Sequence, residues 1–172
     1  MISTLKTVKN AEFKKLSRPH VVILGAGASR ACLPDGDYYG KSIPLMNDLK
    51  NLDSVKAILD RYSYPQSNIE NFEEFYSEVF ERGEKELLKD LELAIFEFFQ
   101  DLRIIDTPTA YDYLICSLRS KDSIVTFNWD PLLMQAYIRC PFKLKPRLLF
   151  LHGNVSVGFN EEERISSYIG VE

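Results

Sequence analysis

The apolar positions of this chain fall into two patterns, and each pattern predicts one kind of element. Short apolar runs lie within residues 21–24, 123–127 and 148–151. The first run is mostly β-branched, which is typical of a strand buried on both faces in a parallel sheet. Longer stretches with apolar residues at three- and four-residue steps lie between the runs and predict amphipathic helices. This order of elements indicates an α/β fold.

Most of the predicted helices lie between the first and second strands. Apolar spacing predicts short helices at 44–49 and 54–62, and amphipathic helices over 69–80 and 87–102 with a break at Gly83. A Thr107-Pro108 pair predicts the start of another helix, and Asp130-Pro131 predicts one more. A weaker helical pattern covers residues 3–16. After residue 151 we expect no further strand.

The first strand runs directly into a loop of small residues, Gly25-Ala26-Gly27-Ala28-Ser29. Glycine brings the backbone close to a ligand, so that backbone N–H groups can bind a phosphate. Arg30 stands where a dinucleotide-binding loop has its third glycine. The segment therefore fits a nucleotide-binding loop and also fits a tight strand-to-helix turn. The Pro- and Gly-rich residues 31–44 follow it and predict a loop that lies over the site as a lid.

Each of the three predicted strands ends in a polar cluster: Gly25–Ser29, Asn128–Asp130 and His152–Asn154. In a parallel sheet the carboxyl ends of the strands share one edge, where ligands bind. We therefore expect the clusters to converge on one crevice. Each residue also has a plainer interpretation, because Asn128 suits a left-handed turn, Asp130 suits a helix N-cap, and His152 suits a bond to the backbone.

Composition narrows the class of protein. The 172 residues carry a net charge of −4, which gives no general attraction to nucleic acid or to an anionic membrane. No apolar run reaches the roughly 18 residues of a membrane span. The three cysteines form no C-x-x-C pair, so a zinc ribbon is disfavoured and no metal is expected. Mostly buried thiols in a reducing cytoplasm are the simplest interpretation.

At these motifs the chain resembles the sirtuin-like superfamily of NAD-binding domains, and in particular the bacterial NAD-hydrolysing branch found in anti-phage defence proteins. The matching pieces occur in the family's order over about residues 18–158: the glycine loop 25–29, Pro34, Thr126 to Asp130, and His152-Gly153. The resemblance implies a single domain over 1–172. That domain would be an α/β fold with a Rossmann-like parallel sheet, helices on both faces and a helical insertion at about 44–105.

The resemblance also implies roles for individual residues, with NAD as the substrate. The expected NAD-binding residues are Gly25, Ala26, Gly27, Ala28, Ser29, Pro34, Thr126 and Gly153. Asn128 would position the nicotinamide ribose or the attacking water, Asp130 would support that loop or contact ribose, and His152 would act as general base. Trp129, Tyr38 and Tyr39 are candidate walls of the pocket, and burial in the core is the equal alternative for Trp129.

Two departures from the family shape the functional expectation. The paired cysteines of the zinc-dependent deacylases are absent, so we expect an NAD hydrolase and not a deacylase. We also expect the sheet to be incomplete on its C-terminal side, with an open edge covered by a second copy or a partner chain. The alternative is a non-catalytic module that binds NAD or ADP-ribose, or that is completed by a partner. An ordinary Rossmann dehydrogenase is disfavoured, because no strand ending in Asp or Glu follows the glycine loop by about twenty residues.

Overall fold

The computed structural model describes residues 18–160 and 165–168, and a three-stranded parallel sheet lies at its centre. Strands β1 (Val21–Leu24), β2 (Ser123–Thr126) and β3 (Arg147–Phe150) pair in the order β1-β2-β3. Their last residues, Leu24, Thr126 and Phe150, lie side by side. The predicted α/β class with a Rossmann-like parallel sheet is confirmed. The helix predicted over 3–16 lies outside the described residues.

Six α-helices and two 3₁₀-helices are described around this sheet. The α-helices are α1 (Ala26–Cys32), α2 (Asp53–Arg61), α3 (Phe72–Glu81), α4 (Lys85–Gln100), α5 (Ala110–Ser117) and α6 (Leu132–Arg139). The 3₁₀-helices cover Met46–Asn51 and Gln66–Asn68. Five of the described α-helices, α1 to α5, and both 3₁₀-helices lie between β1 and β2. The elements between residues 46 and 100 occupy the place expected for the helical insertion.

Local side-chain chemistry sets the ends of these helices. The Asn71 side chain accepts hydrogen bonds from the first turn of α3, and Gly83, with φ +72°, separates α3 from α4. The predicted start of α5 at Thr107-Pro108 is wrong. Thr109 caps this helix instead, because its hydroxyl and amide both bond the carboxylate of Asp112 in a capping box.

One face of the sheet packs against the hydrophobic core. Ile124 on the central strand is fully buried, and Leu24 and Leu148 on the flanking strands pack against the same core. Helix α4 contributes the largest share of buried helical residues: Leu87, Leu88, Leu91, Ala94, Ile95 and Phe99. Burial at i, i+3, i+4 and i+7 steps is what the sequence periodicity predicts for an amphipathic helix.

The opposite face of the sheet is apolar and exposed. Val21 and Ile23 of β1 are 64% and 68% exposed, and Leu149 of β3 is 42% exposed. The prediction that β1 is buried on both faces is therefore wrong, and no helix of the described residues covers these side chains. The strand order supplies the reason. Two successive right-handed crossovers that advance in the same direction place their helices on the same face of the sheet.

Two further strands follow the parallel sheet, and the expectation of none is wrong. Strands β4 (Val157–Asn160) and β5 (Ile165–Tyr168) pair antiparallel in a separate two-stranded sheet. Each is four residues long with few apolar positions, so its alternation is too short to stand out from a loop.

The remaining global features concern thiols and membrane spans. Cys32 and Cys140 are buried, as predicted, whereas Cys116 is exposed, and all three are free thiols. The sulfur atoms of Cys116 and Cys140 lie 4.0 Å apart where α5 packs on α6. In the part of the chain that the structure describes, no helix has both the length and the apolar character needed to cross a membrane.

Candidate functional site

The three polar clusters meet at the carboxyl edge of the parallel sheet, as the sequence predicts. The side-chain amide of Asn128, after β2, donates to the carbonyl oxygen of Gly25, after β1, at 3.0 Å. The side-chain amide of Asn154, after β3, donates to the backbone oxygens of Asn128 at 3.3 Å and Asp130 at 2.6 Å. Direct hydrogen bonds therefore join all three loops.

Asn128 is held in one orientation. Its Nδ2 donates to Gly25 O and to Ser29 Oγ at 2.9 Å, which uses both amide hydrogens. Because the Gly25 carbonyl can only accept, the nitrogen must face it and the Oδ1 atom must point elsewhere. The backbone amide of Asn128 is fixed as well, since it donates to Thr126 Oγ1 at 3.0 Å. The arrangement leaves Oδ1 as an oriented hydrogen-bond acceptor.

Ser29 is the centre of a buried polar network with Tyr111, Asn128 and Asp130, here called the Ser29 network. Its side chain has no exposed surface. Ser29 Oγ donates to Asp130 Oδ2 at 2.7 Å, accepts from Asn128 Nδ2, and lies 2.7 Å from the Tyr111 hydroxyl. A serine hydroxyl donates one hydrogen bond and accepts two. Tyr111 therefore donates to Ser29, and the Ser29 hydroxyl has no capacity left for a ligand.

Burial controls the protonation of this network. Burial raises the pKa of the Asp130 carboxyl above its ordinary value, and the hydrogen bonds from Ser29 and from the Leu132 amide oppose that rise in part. Burial, together with the nearby Asp130 charge, also raises the pKa of Tyr111, so Tyr111 remains a hydrogen-bond donor. The bond to Leu132, at the start of α6, shows that Asp130 supports the helix terminus as well as the loop.

His152 lies on a more open part of the same edge. Its ring is exposed and packs edge-on against Phe127, with 5.3 Å between ring centroids. No hydrogen bond joins the His152 ring to any residue that the structure describes. Gly153 follows it with φ +76°, a conformation that L side chains rarely adopt, so glycine is required to turn the chain there.

Two clefts border these loops. The His152 cleft, of about 350 Å³, is lined by Tyr76, Glu92, Ile95, Phe96, Phe99, Trp129, His152, Asn154 and Val155. The Asn128 cleft, of about 210 Å³, is lined by Ala26, Pro44, Leu45, Met46, Leu49, Phe99, Phe127, Asn128, Trp129 and Asp130. Phe99 and Trp129 line both clefts, so the two clefts are neighbours. Trp129 thus lines both clefts and also packs against the core, so both interpretations of this residue hold.

The predicted glycine loop is the start of helix α1, because Gly25 is the N-cap and Ala26–Cys32 is helical, and the space beside both glycines is open. Gly25 has φ −122°, which any residue adopts, and a Cβ atom at Gly25 or Gly27 would meet no atom within 4 Å. The protein's own packing therefore does not require glycine at either position. Open space beside a helix start suits the close approach of a ligand. Ala26 lines the Asn128 cleft, whereas Ala28 packs against the core.

The loop after α1 does not act as the expected lid. The buried Asp37 carboxylate accepts from the amides of Tyr39, Lys41 and Arg103, which ties the loop to the segment after α4. Arg103 also stacks over the Tyr38 ring at 4.2 Å. Neither tyrosine lines the His152 cleft or the Asn128 cleft, and only Pro44 and Leu45 from the end of the loop reach a wall.

Pro34, an expected NAD-binding residue, is exposed and lines neither cleft. The sequence pattern does not single out Tyr111, and it gives Asn154 no role of its own. Tyr111 gave no signal, because its position also fits the apolar face of α5. Asn154 stood in a polar cluster at a strand end, which was the available signal.

Among the side chains that the structure describes, no three His, Cys, Asp or Glu residues are grouped as metal ligands would be. A comparison of the chain with protein-family models and with curated proteins finds no match.

Proposed function

We propose that this chain is an NAD hydrolase-type domain that cleaves the nicotinamide–ribose bond and releases nicotinamide and ADP-ribose. One observation carries the proposal: the glycine loop, the oriented Asn128 oxygen and the His152 ring lie at one sheet edge, beside two clefts that share Phe99 and Trp129. The motif resemblance to sirtuin-like NAD-binding domains supports the same assignment. Cleavage of this bond passes through an oxocarbenium-like state, which needs a held sugar and a pocket for the leaving base.

In this proposal the segment from Gly25 to Ser29, which forms the start of helix α1, binds the NAD diphosphate through backbone N–H groups of the first helical turn. The open space at Gly25 and Gly27 supports this role. The Ser29 side chain acts by holding Asn128 and Asp130, because all of its hydrogen-bonding capacity is used inside the protein. Asp130 supports the loop by its bonds to Ser29 and to the start of α6.

Asn128 and His152 act on the reacting atoms. The Oδ1 atom of Asn128 accepts a hydrogen bond from the attacking water or from a ribose hydroxyl and so orients it. The C1′–N bond breaks with its electron pair passing to nicotinamide, which leaves as a neutral base. Water adds to C1′, and its proton passes to His152, since imidazole is the side chain suited to proton transfer near neutral pH.

The test is nicotinamide release from NAD by the purified chain, with His152→Ala and His20→Ala in parallel. His20 is the matched control, because it is the only other histidine and bonds Asp122 at the opposite end of the sheet. We expect His152→Ala to lower turnover about 100-fold or more, and His20→Ala to keep it within about twofold. Equal turnover in wild type and His152→Ala would contradict the role of His152. Wild-type protein without turnover would contradict the hydrolase.

The exposed sheet face favours a second candidate, a non-catalytic module that binds NAD or ADP-ribose or is completed by a partner chain. Val21, Ile23 and Leu149 present an apolar surface of the kind that a second copy or a partner covers. In that case NAD raises the melting temperature without being cleaved, and light scattering finds an assembly larger than the monomer.

The proposed cellular setting follows the motif resemblance: bacterial anti-phage defence in the cytoplasm, where free thiols such as those of Cys32, Cys116 and Cys140 remain reduced. Nucleic acid and membrane are not among the proposed partners. NAD serves as substrate in this proposal, and no metal takes part in it.

A further inference from the structure

The wall of the His152 cleft opposite the strand ends comes from the helices between β1 and β2. Helix α3 contributes Tyr76, and α4 contributes Glu92, Phe96 and Phe99, so that aromatic rings make up much of the lining. Glu92 is the only acidic side chain in this lining, and no lysine or arginine lines the cleft. The cleft thus combines aromatic faces with one carboxylate.

The Glu92 carboxylate is held by a tyrosine and not by a cation. The Tyr76 hydroxyl donates a short hydrogen bond to Glu92 Oε1. Burial, together with this carboxylate, raises the pKa of Tyr76 to about 12, so the hydroxyl keeps its proton and remains a donor. Among the described residues, neither lysine nor arginine pairs with Glu92. Glu92 is exposed and lines the cleft, so it brings to the cleft wall a negative charge that no lysine or arginine of the described residues neutralises.

This combination favours a flat aromatic cation. Aromatic faces attract cations, and an unpaired carboxylate attracts them further while repelling anions. NAD⁺ has one group of this kind, the pyridinium ring of its nicotinamide, whereas its diphosphate is anionic. The reduced cofactor carries a neutral dihydropyridine ring of nearly the same size. A binding site can therefore distinguish NAD⁺ from NADH by the charge of the nicotinamide ring, although the two rings have nearly the same shape.

We infer that the Tyr76–Glu92 pair selects the positively charged nicotinamide ring, so that the site takes oxidised NAD⁺ in preference to NADH. This inference rests on the proposed function for the identity of the ligand. Glu92 is a specificity-determining residue that contacts the ring, and Tyr76 is a positioning residue that fixes the carboxylate. The diphosphate then lies toward the glycine loop, across the shared residues Phe99 and Trp129.

Two small probes isolate the charge of the ring. The N1-methylnicotinamide cation and neutral nicotinamide differ by a methyl group and a charge, and calorimetry measures the affinity of each for the full chain. We expect wild-type protein to bind the cation about fivefold to tenfold more tightly than the neutral compound. Glu92→Gln should bring the two affinities within about twofold, and Tyr76→Phe should give an intermediate preference.

Glu97→Gln is the matched control, since Glu97 is exposed on the same helix and lines neither cleft. It removes the same charge from α4 and should keep the full preference for the cation. Thermal melting confirms that each variant is folded. The inference is overturned if wild-type protein shows no preference, if the cation does not bind measurably, or if Glu92→Gln retains the preference.

The same variants separate this inference from the proposed function. If Glu92→Gln loses the preference for the cation and wild-type protein releases no nicotinamide, the cation site is supported and the hydrolase function is contradicted. If nicotinamide release from NAD depends on His152 but Glu92→Gln keeps the preference for the cation, the hydrolase function is supported and the role of Glu92 is contradicted. With both intact, NADH should inhibit wild-type turnover weakly and Glu92→Gln turnover more strongly.

Discussion

The Ser29 network and the His152 cleft lie at the same edge of the sheet, but the protein holds their polar groups in opposite ways. Ser29 is wholly buried and uses every hydrogen bond that its hydroxyl can form. His152 is exposed and bonds to none of the described residues. Asn154 connects the two regions, because its amide holds the Asn128–Asp130 loop from the segment that follows His152.

Under the proposed function, the Ser29 network positions the reacting groups and His152 carries out the proton transfer. Groups that fix geometry are most effective when they are buried and satisfied, because their orientation then costs nothing at the moment of reaction. A group that must accept a proton needs access to the substrate and free hydrogen-bonding capacity. Asn128 belongs to both regions, since its nitrogen is bound inside the network and its oxygen is left for a ligand. Stability measurements can therefore test the contrast separately from activity.

The largest expected effect is that of Ser29→Ala on stability. The change removes the hydroxyl that satisfies Tyr111, Asn128 and Asp130, and each buried polar group left without its partner costs free energy. We expect the free energy of unfolding to fall by about 3 kcal/mol, measured by urea denaturation. Ser117→Ala is the control, because its exposed hydroxyl makes one local bond, to Leu114 O. Similar losses in both variants would contradict the network.

The next effect concerns pH. Because burial raises the native pKa of Asp130 above the ordinary 3.8, the native state holds this proton after the unfolded chain has released it. Stability therefore falls as pH rises from 3.8 to the raised pKa, by at most about 1.4 kcal/mol per pH unit for one proton.

Asp130→Asn removes this titration and provides the comparison. Urea denaturation at a series of pH values should show the wild-type protein losing stability relative to Asp130→Asn over that window, with a constant difference above it. Parallel profiles over the whole range would mean that the native carboxyl titrates as it does in the unfolded chain.

The smallest expected effect is that of His152→Ala on stability, and it tests the exposed part of the site. His152→Ala removes an exposed ring whose one described contact is the edge-on packing with Phe127. We expect the free energy of unfolding to change by about 0.5 kcal/mol, again from urea denaturation, although turnover is lost. A loss as large as that of Ser29→Ala would show that His152 is a structural residue.

The sequence predicts that the three polar clusters converge, but not the hydrogen bonds that hold them together. The runs ending at Leu24, Phe127 and Leu151 predicted parallel strands, and the polar residues after them met as a parallel sheet requires. The Tyr111–Ser29 bond joins residues 82 positions apart and depends on how α5 packs on α1, which periodicity does not specify. The exposure of Val21 likewise depends on strand order, whereas an apolar run alone suggests burial.

The prediction of a lid at residues 31–44 was wrong for a related reason. Proline and glycine mark residues 31–44 as irregular, but they do not say what the segment contacts. The contact is made by the buried carboxylate of Asp37, which bonds the amide of Arg103 at 3.1 Å. An aspartate in a loop usually suggests a solvent-facing turn residue, so only the three-dimensional structure reveals that this one anchors the loop.

The long separation between β1 and β2 has a consequence for folding. The β2–α6–β3 unit is a local crossover, whereas pairing β1 with β2 brings together residues such as His20 and Asp122, which are 102 positions apart. Contacts across long loops form late, because the entropy of loop closure must be met first. We therefore expect β1 to join the sheet last. The glycine loop leaves the ribosome before the rest of the candidate site, yet it meets Asn128 only when folding is nearly complete, so a partly folded chain has no assembled site for the proposed reaction.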